Sequence, residues 1–289
     1  PRRAESERKY KITMSFTKNL TAAWQTSKSL VCVGLDPEMP KLPARFQNRP
    51  DGVFAFHKAI VDATHDIVCA YKPQYAHHAA LGAYDQLSAI IDYIHTRYPN
   101  VPVILDAKRG DIGNTATKYA QTFFDPTHAG FDFDSVTVAP YMGEDSVTPF
   151  LQFEDKWVIL LALTSNPGSN DFQQMKDENG IPFYENVMRK SMEWGNADQL
   201  MFVIGATRTD YIAKVREIAP DNFFLVPGVG AQGGSLADVA KFGMNKNVGL
   251  LVNSSRGIIY AGDDTAVSAA REAKKVQEEM NQLLDQYYK

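Results

Sequence analysis

The sequence predicts an α/β protein that folds as one (β/α)₈ TIM barrel. Eight short apolar runs rich in β-branched residues recur along the chain, and segments of helical periodicity separate them. The runs are almost continuously apolar rather than alternating, so we expect strands covered on both faces, and the alternation of strand and helix implies parallel pairing. The part of the chain that follows a polar opening matches the usual barrel size of about 250 residues.

The predicted strands leave room for a helix after each one. In chain order they span residues 30–36, 68–73, 101–106, 135–139, 157–163, 200–205, 223–227 and 248–253. Helices are predicted between them, for example at 53–67, 83–97 and 211–218. The charged tail is predicted to form a final amphipathic helix at 270–289, with Val276, Met280, Leu283 and Leu284 facing inward.

The domain prediction is a single unit at residues 15–289. Residues 1–14 are polar and have no apolar period, so they are predicted to be an extension or a tag outside the fold. A doubly wound sheet is the alternative architecture. It is disfavoured because the first strand leads into Gly34-Leu-Asp-Pro37 instead of the G-x-G-x-x-G turn of dinucleotide-binding folds.

Composition and charge exclude several classes of partner. The chain has 30 basic and 34 acidic residues and a net charge of -4, which argues against a nucleic-acid surface. The apolar runs have strand length, and no signal-sequence pattern opens the chain, so we expect no membrane partner. Cys32 and Cys69 lie in apolar runs and are interpreted as thiols of a cytoplasmic protein.

Charged residues stand where the predicted strands end, which is where barrel enzymes place their chemistry. Asp36 closes the first strand, Lys72 the second, and Asp106 and Lys108 the third, with Asp111 following. Burying an ion costs on the order of several kcal/mol unless it is paired, so this pattern indicates either a salt-bridged strand end or a catalytic array. A Schiff-base lysine must be neutral, whereas neighbouring carboxylates favour charged Lys108, so we predict that Lys108 donates a proton.

The loops after the seventh and eighth strands predict a phosphate site. Glycines surround Gln232 and Gly233 in one loop, and Arg256 and Gly257 stand in the other, the usual position of a phosphate in a barrel. Exposed backbone N–H groups, a following helix and a guanidinium all suit an anion, although such glycines can also simply turn the chain. The substrate is therefore predicted to be a phosphorylated small molecule.

Neither a metal site nor a nucleophilic serine is predicted. His77 and His78 have no further ligand-type residue at helical spacing, so a loop or packing role is favoured. The pair Thr164-Ser165 lacks the G-x-S-x-G turn, and its hydroxyls and amides suit recognition of a polar ring edge instead.

Six segments with characteristic residues occur in one order along the chain. They are VGLDP at 33–37, YKPQ at 71–74, DAKRGDIGNT at 106–115, TSNPG at 164–168, PGVGAQGG at 227–234 and NSSRG at 253–257. Together they resemble the orotidine 5′-phosphate decarboxylase family, and most closely its subgroup with the longer Asp-Ala-Lys-Arg-Gly-Asp-Ile-Gly signature. Because the match is spread over most of the chain, it is more specific than any single motif.

The resemblance implies a cofactor-free conversion of orotidine 5′-monophosphate to uridine 5′-monophosphate and CO₂, the last step of de novo pyrimidine synthesis. It implies a charged array of Lys72, Asp106, Lys108 and Asp111. It also implies a homodimer in which Asp111 and Thr115 reach into the neighbouring subunit's site. The remaining implied contacts are Asp36 and Thr115 with the ribose, Ile112 with the substrate, Ser165 with the pyrimidine edge, and Gln232, Gly233, Arg256 and Gly257 with the phosphate.

Other activities remain open at this stage. Related Mg²⁺-dependent sugar-phosphate decarboxylases and synthases also carry D-x-K-x-x-D, and a catalytically silent nucleotide-binding barrel would keep the phosphate loops. The segment 164–168 suits a flat pyrimidine edge better than an open-chain sugar. The segment 168–183 resembles a flap or insertion, and the sequence leaves open whether the barrel is one half of a bifunctional pyrimidine enzyme.

Overall fold

Eight parallel strands lie around an almost closed barrel in the computed structural model, which describes residues 16–206, 209–229 and 234–288. Neighbouring strands pair in the order β2-β1-β8-β7-β6-β5-β4-β3. The strands are β1 (Val31–Leu35), β2 (Ala70–Pro73), β3 (Ile104–Arg109), β4 (Ser135–Val138), β5 (Trp157–Leu163), β6 (Leu200–Ile204), β7 (Phe224–Pro227) and β8 (Leu250–Ser254). The predicted fold class is confirmed.

Helices follow the strands around the outside of the barrel. They are α1 (Phe16–Ser27), α2 (Ala44–Gln47), α3 (Gly52–Thr64), α4 (Tyr75–Ala80), α5 (Tyr84–Arg97), α6 (Gly113–Phe124), α7 (Pro126–Ala129), α8 (Thr148–Leu151), α9 (Ser169–Phe172), α10 (Phe183–Ser191), α11 (Thr209–Ile218), α12 (Leu236–Gly243), α13 (Arg256–Ile259) and α14 (Thr265–Tyr287). The described helices include none long and apolar enough to cross a membrane.

The barrel closes between β2 and β3 by isolated bridges instead of a continuous ladder. Tyr71 pairs with Val103 and Gln74 with Asp106, and the Tyr71 amide donates to the Pro102 carbonyl at 3.0 Å. Pro102 lacks an N–H and cannot extend the ladder, which explains why β3 begins at Ile104 and not at residue 101 as predicted.

The strands are buried on both faces, as their continuous apolar character predicts. All five residues of β1 and all five of β6 are buried, because side chains facing inward fill the barrel and those facing outward pack against helices. The final helix begins at Thr265, five residues earlier than predicted, and buries Met280, Leu283 and Leu284, while Val276 is only partly buried.

At the amino-end face of the barrel, where the strands begin, a half-buried arginine joins several loops. The Arg216 guanidinium donates to the carbonyls of Gly243, Ala219, Asn222 and Gly249 at 2.6–2.9 Å, and it lies 3.8 Å from the centre of the Phe224 ring. These carbonyls stand at helix ends and before strands, so Arg216 supplies donors to backbone acceptors there, although Gly249 also accepts the Phe224 amide at 2.9 Å.

The strand boundaries at the opposite, carboxyl-end face differ from the prediction in a way that affects the site. The predicted third strand stops at Asp106, whereas β3 continues through Lys108 to Arg109. Its register with β4 shifts between Leu105 and Arg109, which marks a bulge. The predicted extension at residues 1–14 lies outside the described residues.

Candidate active site

The carboxyl ends of five strands bring together six of the twelve predicted site residues. Residues at these ends project into the mouth of the barrel, because parallel strands finish at the same rim. This group consists of Asp36 after β1, Lys72 in β2, Asp106 and Lys108 in β3, Ser165 after β5 and Arg256 after β8.

At the centre, one carboxylate receives two ammonium groups. Asp106 Oδ2 accepts from Lys72 Nζ at 3.0 Å, and Asp106 Oδ1 forms an ion pair with Lys108 Nζ. The Lys72 side chain is only 5% exposed, whereas that of Lys108 is 47% exposed. Lys72 is therefore a buried partner of the carboxylate, and Lys108 carries its charge at the open side where a ligand could reach it.

Thr137 in β4 completes this arrangement, and the sequence analysis did not identify it. Its Oγ1 donates to Asp106 Oδ1 at 3.0 Å and accepts from the amides of Ala107 and Lys108, both at 2.9 Å. The hydroxyl thus uses its donor and both acceptor sites. The available signal was a hydroxyl residue between two valines of a short buried strand.

The two buried charges shift each other's pKa. Burial by itself raises the pKa of Asp106, but the charges of Lys72 and Lys108 outweigh burial and hold that pKa well below its usual range. Burial likewise lowers the pKa of Lys72, but Asp106 and Asp36 outweigh it, so the net pKa lies above the ordinary lysine value. Asp106 and Lys72 are therefore both ionised at neutral pH.

The backbone turns sharply at Lys108, which has φ 49°. A non-glycine residue in this left-handed region is uncommon and costs about 1–3 kcal/mol, so it persists only where neighbours hold it. Thr137 supplies that support through the Lys108 amide. Two residues on, a side chain at Gly110 would place its Cβ 2.7 Å from the Ala139 carbonyl oxygen, so the loop needs glycine there.

Asp36 enters the site from β1, next to β8. Its Oδ1 is buried and has no hydrogen-bond partner among the described residues, and the same is true of Asn253 Oδ1 in β8. β1 can lie this close to the turn after β8 only because residue 34 is glycine, since a Cβ there would lie 1.8 Å from Ser255 Oγ. This corner of the site therefore offers acceptor oxygens that hydroxyl donors of a ligand could satisfy.

The residues after β3 separate into two groups. Arg109 turns away from the array, because its guanidinium lies 4.9 Å from the centre of the Tyr75 ring and donates to the Ala107 carbonyl at 3.0 Å. Asp111, Ile112 and Thr115 are partly or fully exposed. Among the described ion pairs none joins Asp111 to Lys72 or Lys108, and its Oδ1 accepts the Ile112 amide at 2.8 Å instead.

The loop after β5 carries Ser165 and leads into the segment 168–183. Gln173 exchanges two hydrogen bonds with Thr164, its Oε1 accepting the Thr164 amide at 2.8 Å and its Nε2 donating to the hydroxyl at 2.9 Å. A short antiparallel bridge between Lys176 and Pro182 follows. Gln173, which the sequence analysis did not single out, thereby ties this segment to the end of β5.

The comparisons with known proteins agree with this geometry. A family model described as "Orotidine 5'-phosphate decarboxylase / HUMPS family" matches residues 29–272. The chain belongs to this family. An orotidine 5′-phosphate decarboxylase of Bacteroides fragilis is 54% identical to it over 261 residues, covering 89% of this chain and 94% of that protein. One of Flavobacterium johnsoniae is 53% identical over 262 residues, with 89% and 94% covered.

Solved structures of the orotidine 5′-phosphate decarboxylase group have the same fold. Leishmania donovani OMP decarboxylase superposes with a TM-score of 0.78 at 34% identity, covering 93% of this chain and 98% of that one. Leishmania donovani UMP synthase gives a TM-score of 0.81 at 36% identity, but the match covers only 56% of that longer chain and 93% of this one.

The remaining residues that resemblance to the decarboxylase family singled out follow β7 and β8 in the chain. Arg256 and Gly257 are exposed at the start of α13, a single helical turn that adds little dipole of its own. Gln232 and Gly233 lie outside the described residues, although Gly228, which precedes them, has the φ of 93° that favours glycine.

Neither histidine of the 77–78 pair belongs to a metal-ligand cluster. His77 Nδ1 lies 3.2 Å from the Pro37 carbonyl oxygen, and His78 is fully buried with Nδ1 2.9 Å from the Gln74 carbonyl. In the described parts of this decarboxylase-family chain, no three His, Cys, Asp or Glu side chains are grouped so that they could hold a metal.

Proposed function

We propose that this protein decarboxylates orotidine 5′-monophosphate to uridine 5′-monophosphate and CO₂, the final step of de novo pyrimidine synthesis. The observation that carries the proposal is the ammonium of Lys108, held by Asp106 at the open mouth of the barrel. Membership of the decarboxylase family and the roughly 50% identity of curated relatives support it.

The charge array suits a reaction that builds negative charge on carbon. Loss of CO₂ from C6 of the pyrimidine leaves a carbanion that no electron-accepting cofactor need absorb if a fixed cation lies beside it. Lys108 is such a cation, since Asp106 and the Thr137-supported backbone hold it in place. We propose that Lys108 stabilises the carbanion and then transfers a proton to C6.

Asp106 contributes to the energetics of the ground state. A substrate carboxylate about 4 Å from the Asp106 carboxylate would be repelled by about 4 kcal/mol at an effective dielectric constant near 20. Departure of CO₂ moves the negative charge from the carboxylate to C6, beside Lys108, and so relieves that repulsion. Binding of the remote phosphate by Arg256, Gly257, Gln232 and Gly233 can hold the substrate against it, since interactions away from the reacting carbon can be used for distortion there.

The other contacts are assigned from position and chemistry. Asp36, with its free acceptor oxygen, is proposed to bind ribose hydroxyls together with Thr115. Ser165, after β5, is proposed to bind the pyrimidine edge, and Ile112 is proposed to contact the substrate. Lys72 keeps Asp106 ionised from the buried side.

We propose that the protein acts as a homodimer in which Asp111 and Thr115 complete the neighbouring subunit's site. Six of the ten large apolar side chains that are exposed in the described part of the chain lie on the segments that connect β3, β4 and β5 to the next strand. These six are Ile112, Tyr141, Met142, Phe172, Met175 and Phe183. An apolar surface of this kind beside a catalytic residue is typical of a subunit interface.

We further propose that the enzyme works in the cytoplasm. Cys32 and Cys69 are both buried free thiols, which fits a reducing compartment. Fractionation of the source cells tests this, and recovery of the protein outside the cytosolic fraction would contradict it.

Ultraviolet absorbance tests the activity directly. In the presence of a chelator the purified protein should consume orotidine 5′-monophosphate, and Lys108→Ala should lower kcat by at least about 100-fold, since it removes the cation at the carbanion. The matched control is Lys118→Ala on the exposed side of α6, which should retain full activity. Turnover of a keto-sugar phosphate with added Mg²⁺, without activity on the nucleotide, would favour the metal-dependent relatives instead.

Subunit mixing tests the shared site. Lys108→Ala and Asp111→Ala homodimers should both be nearly inactive. A mixture that has exchanged subunits should regain up to about a quarter of wild-type activity, because half of the dimers are then mixed and each has one intact site. Failure to regain activity, with subunit exchange verified by mass spectrometry, would exclude the shared arrangement.

A further inference from the structure

Two turns that carry proposed ligand contacts lie side by side at the carboxyl-end face. The first turn follows β1 and contains Asp36, and the second follows β8 and contains Arg256. The strands themselves are paired, with Cys32 in β1 opposite Asn253 in β8. A side chain that contacts both turns would couple the position of the proposed ribose contact to that of the proposed phosphate contact.

The Tyr260 hydroxyl makes such a connection. It donates to the Asp36 carbonyl at 3.0 Å and accepts from the Glu38 amide at 2.7 Å. One side chain from the β8 turn therefore holds the β1 turn on both sides of Pro37. Burial raises the pKa of Tyr260 to about 12, so the hydroxyl keeps its proton and can donate at any physiological pH.

Tyr260 is also rigidly joined to the phosphate side. Its amide donates to the Arg256 carbonyl at 3.2 Å, so the two residues stand at the two ends of one helical turn. Its ring stacks on Phe56 of α3, with centroids 5.6 Å apart and planes at 17°. The ring therefore has a fixed position from which the hydroxyl reaches the β1 turn.

The orientation of the Asp36 carboxylate depends on that support, because the side chain itself has few hydrogen bonds to hold it. Asp36 Oδ1 has no hydrogen-bond partner among the described residues, so the carboxylate is oriented mainly by the backbone that carries it. His77 Nδ1, at 3.2 Å from the Pro37 carbonyl, and Lys41, in an ion pair with Glu38 at 2.7 Å, also contact this turn.

We propose that Tyr260 is a positioning residue that couples the grip on the substrate phosphate to the orientation of Asp36. The inference rests on the proposed function, in which Arg256 binds phosphate and Asp36 binds ribose. When phosphate fixes Arg256, the same helical turn fixes Tyr260, and the hydroxyl then holds the β1 turn in the geometry that presents Asp36. Binding at one end of the nucleotide is thus used to align the other.

Tyr260→Phe tests the coupling, because it removes the hydroxyl and keeps the stacked ring. We expect kcat/KM for orotidine 5′-monophosphate to fall about tenfold, the usual worth of a hydrogen bond of this kind. In an Asp36→Ala or an Arg256→Ala background, the same change should cost less than about twofold, because the coupled partner is already gone. The control is Tyr98→Phe, which loses a hydroxyl bonded to Asp62 on the outer surface and should leave kcat/KM unchanged.

The outcomes separate this inference from the proposal on which it rests. If Asp36→Ala and Arg256→Ala leave kcat/KM unchanged, the assigned ribose and phosphate contacts are wrong. If both lower it but Tyr260→Phe costs the same tenfold in every background, Tyr260 has only a structural role. An unchanged kcat/KM in Tyr260→Phe alone would also overturn the coupling.

Discussion

The two faces of the barrel use charged side chains in opposite ways. At the amino-end face the Arg216 guanidinium donates to four backbone carbonyls and stacks on Phe224, so a single charge is surrounded by neutral acceptors. At the carboxyl-end face the ammonium groups of Lys72 and Lys108 meet on one carboxylate, Asp106. Arg216 connects loops, whereas Lys72, Asp106 and Lys108 concentrate charge at the mouth of the barrel.

The difference shows what each charge stabilises. Arg216 satisfies carbonyls that belong to helix ends and loops, so its contribution is to the folded chain. In the array, Lys108 is about half exposed and its φ of 49° is unfavourable, so local stability is not what this arrangement optimises. A preorganised cation at the open mouth of a barrel is instead what a developing carbanion requires.

The largest effect is expected when the charge of Asp106 is removed. Asp106→Asn leaves Lys72 buried without a counter-ion and releases Lys108, so kcat/KM should fall at least about 100-fold. The free energy of unfolding should fall by about 3 kcal/mol, because breaking a buried pair exposes the desolvation cost of the remaining ion. Activity assays and urea unfolding measure the two quantities.

Asp51→Asn is the matched control for this change. Asp51 forms an exposed ion pair with Arg49, and exposed pairs contribute at most about 1 kcal/mol, so neither quantity should change appreciably. Full activity in Asp106→Asn would show that the array does not act through this carboxylate.

Arg216→Met should separate stability from activity. The substitution leaves several buried carbonyls without donors, so we expect the free energy of unfolding to fall by about 3–5 kcal/mol. The kcat per folded molecule should stay at the wild-type value, since the amino-end face is remote from the site. Urea unfolding and active-site titration check both expectations.

Lys246→Met provides the comparison on the same face. Lys246 forms an exposed pair with Asp221 at 2.9 Å and should contribute less than about 1 kcal/mol. If the folded Arg216→Met protein had a lower kcat than the wild type, the two faces would be coupled and Arg216 would not serve stability alone.

The smallest predicted effect concerns acid stability. Burial lowers the pKa of His78 to about 4 and lowers that of His57 well below its ordinary value, and the two rings lie 5.2 Å apart. Both are neutral when folded and titrate near pH 6.5 when unfolded, so the stability they contribute is complete above pH 6.5 and is lost as the pH falls. For His78 the loss reaches about 3 kcal/mol near pH 4.

His57→Phe should therefore reduce the slope of unfolding free energy against pH between 6.5 and 4. Asp106 contributes little there, because an unfolded aspartate titrates at about pH 3.9 and the folded pKa lies lower still, so its stabilisation is lost mainly below about pH 4. Urea unfolding at a series of pH values measures the slope. Equal slopes in the variant and the wild type would show that His57 is not buried as a neutral ring.

Much of the fold could be predicted from the sequence because the periodicity is strong. The existence of all eight strands and their parallel pairing follow from continuous apolar runs separated by helical segments. The strand ends were predicted within three residues. The largest errors have local causes that act against the apolar pattern. Pro102 delays the start of β3, and the bulge that follows extends it to Arg109.

The site could be predicted only in part. Lys72, Asp106 and Lys108 stood out because charged residues seldom end apolar runs, and the structure places them in contact. Thr137, Gln173 and Tyr260 were missed because hydroxyl, amide and aromatic residues are common at such positions in any barrel. Their roles depend on which backbone groups they reach across neighbouring elements.

The amino-acid sequence by itself determined which residues are apolar, where chain direction can reverse, and which charged groups lie at strand ends. Tertiary structure decided that Asp106 receives two lysines and a threonine hydroxyl, that Arg109 turns away from them, and that Tyr260 spans two turns. The physical reason is that pattern encodes burial along one element, whereas hydrogen bonds and ion pairs depend on distances between atoms that are far apart in the chain and meet only when the barrel closes.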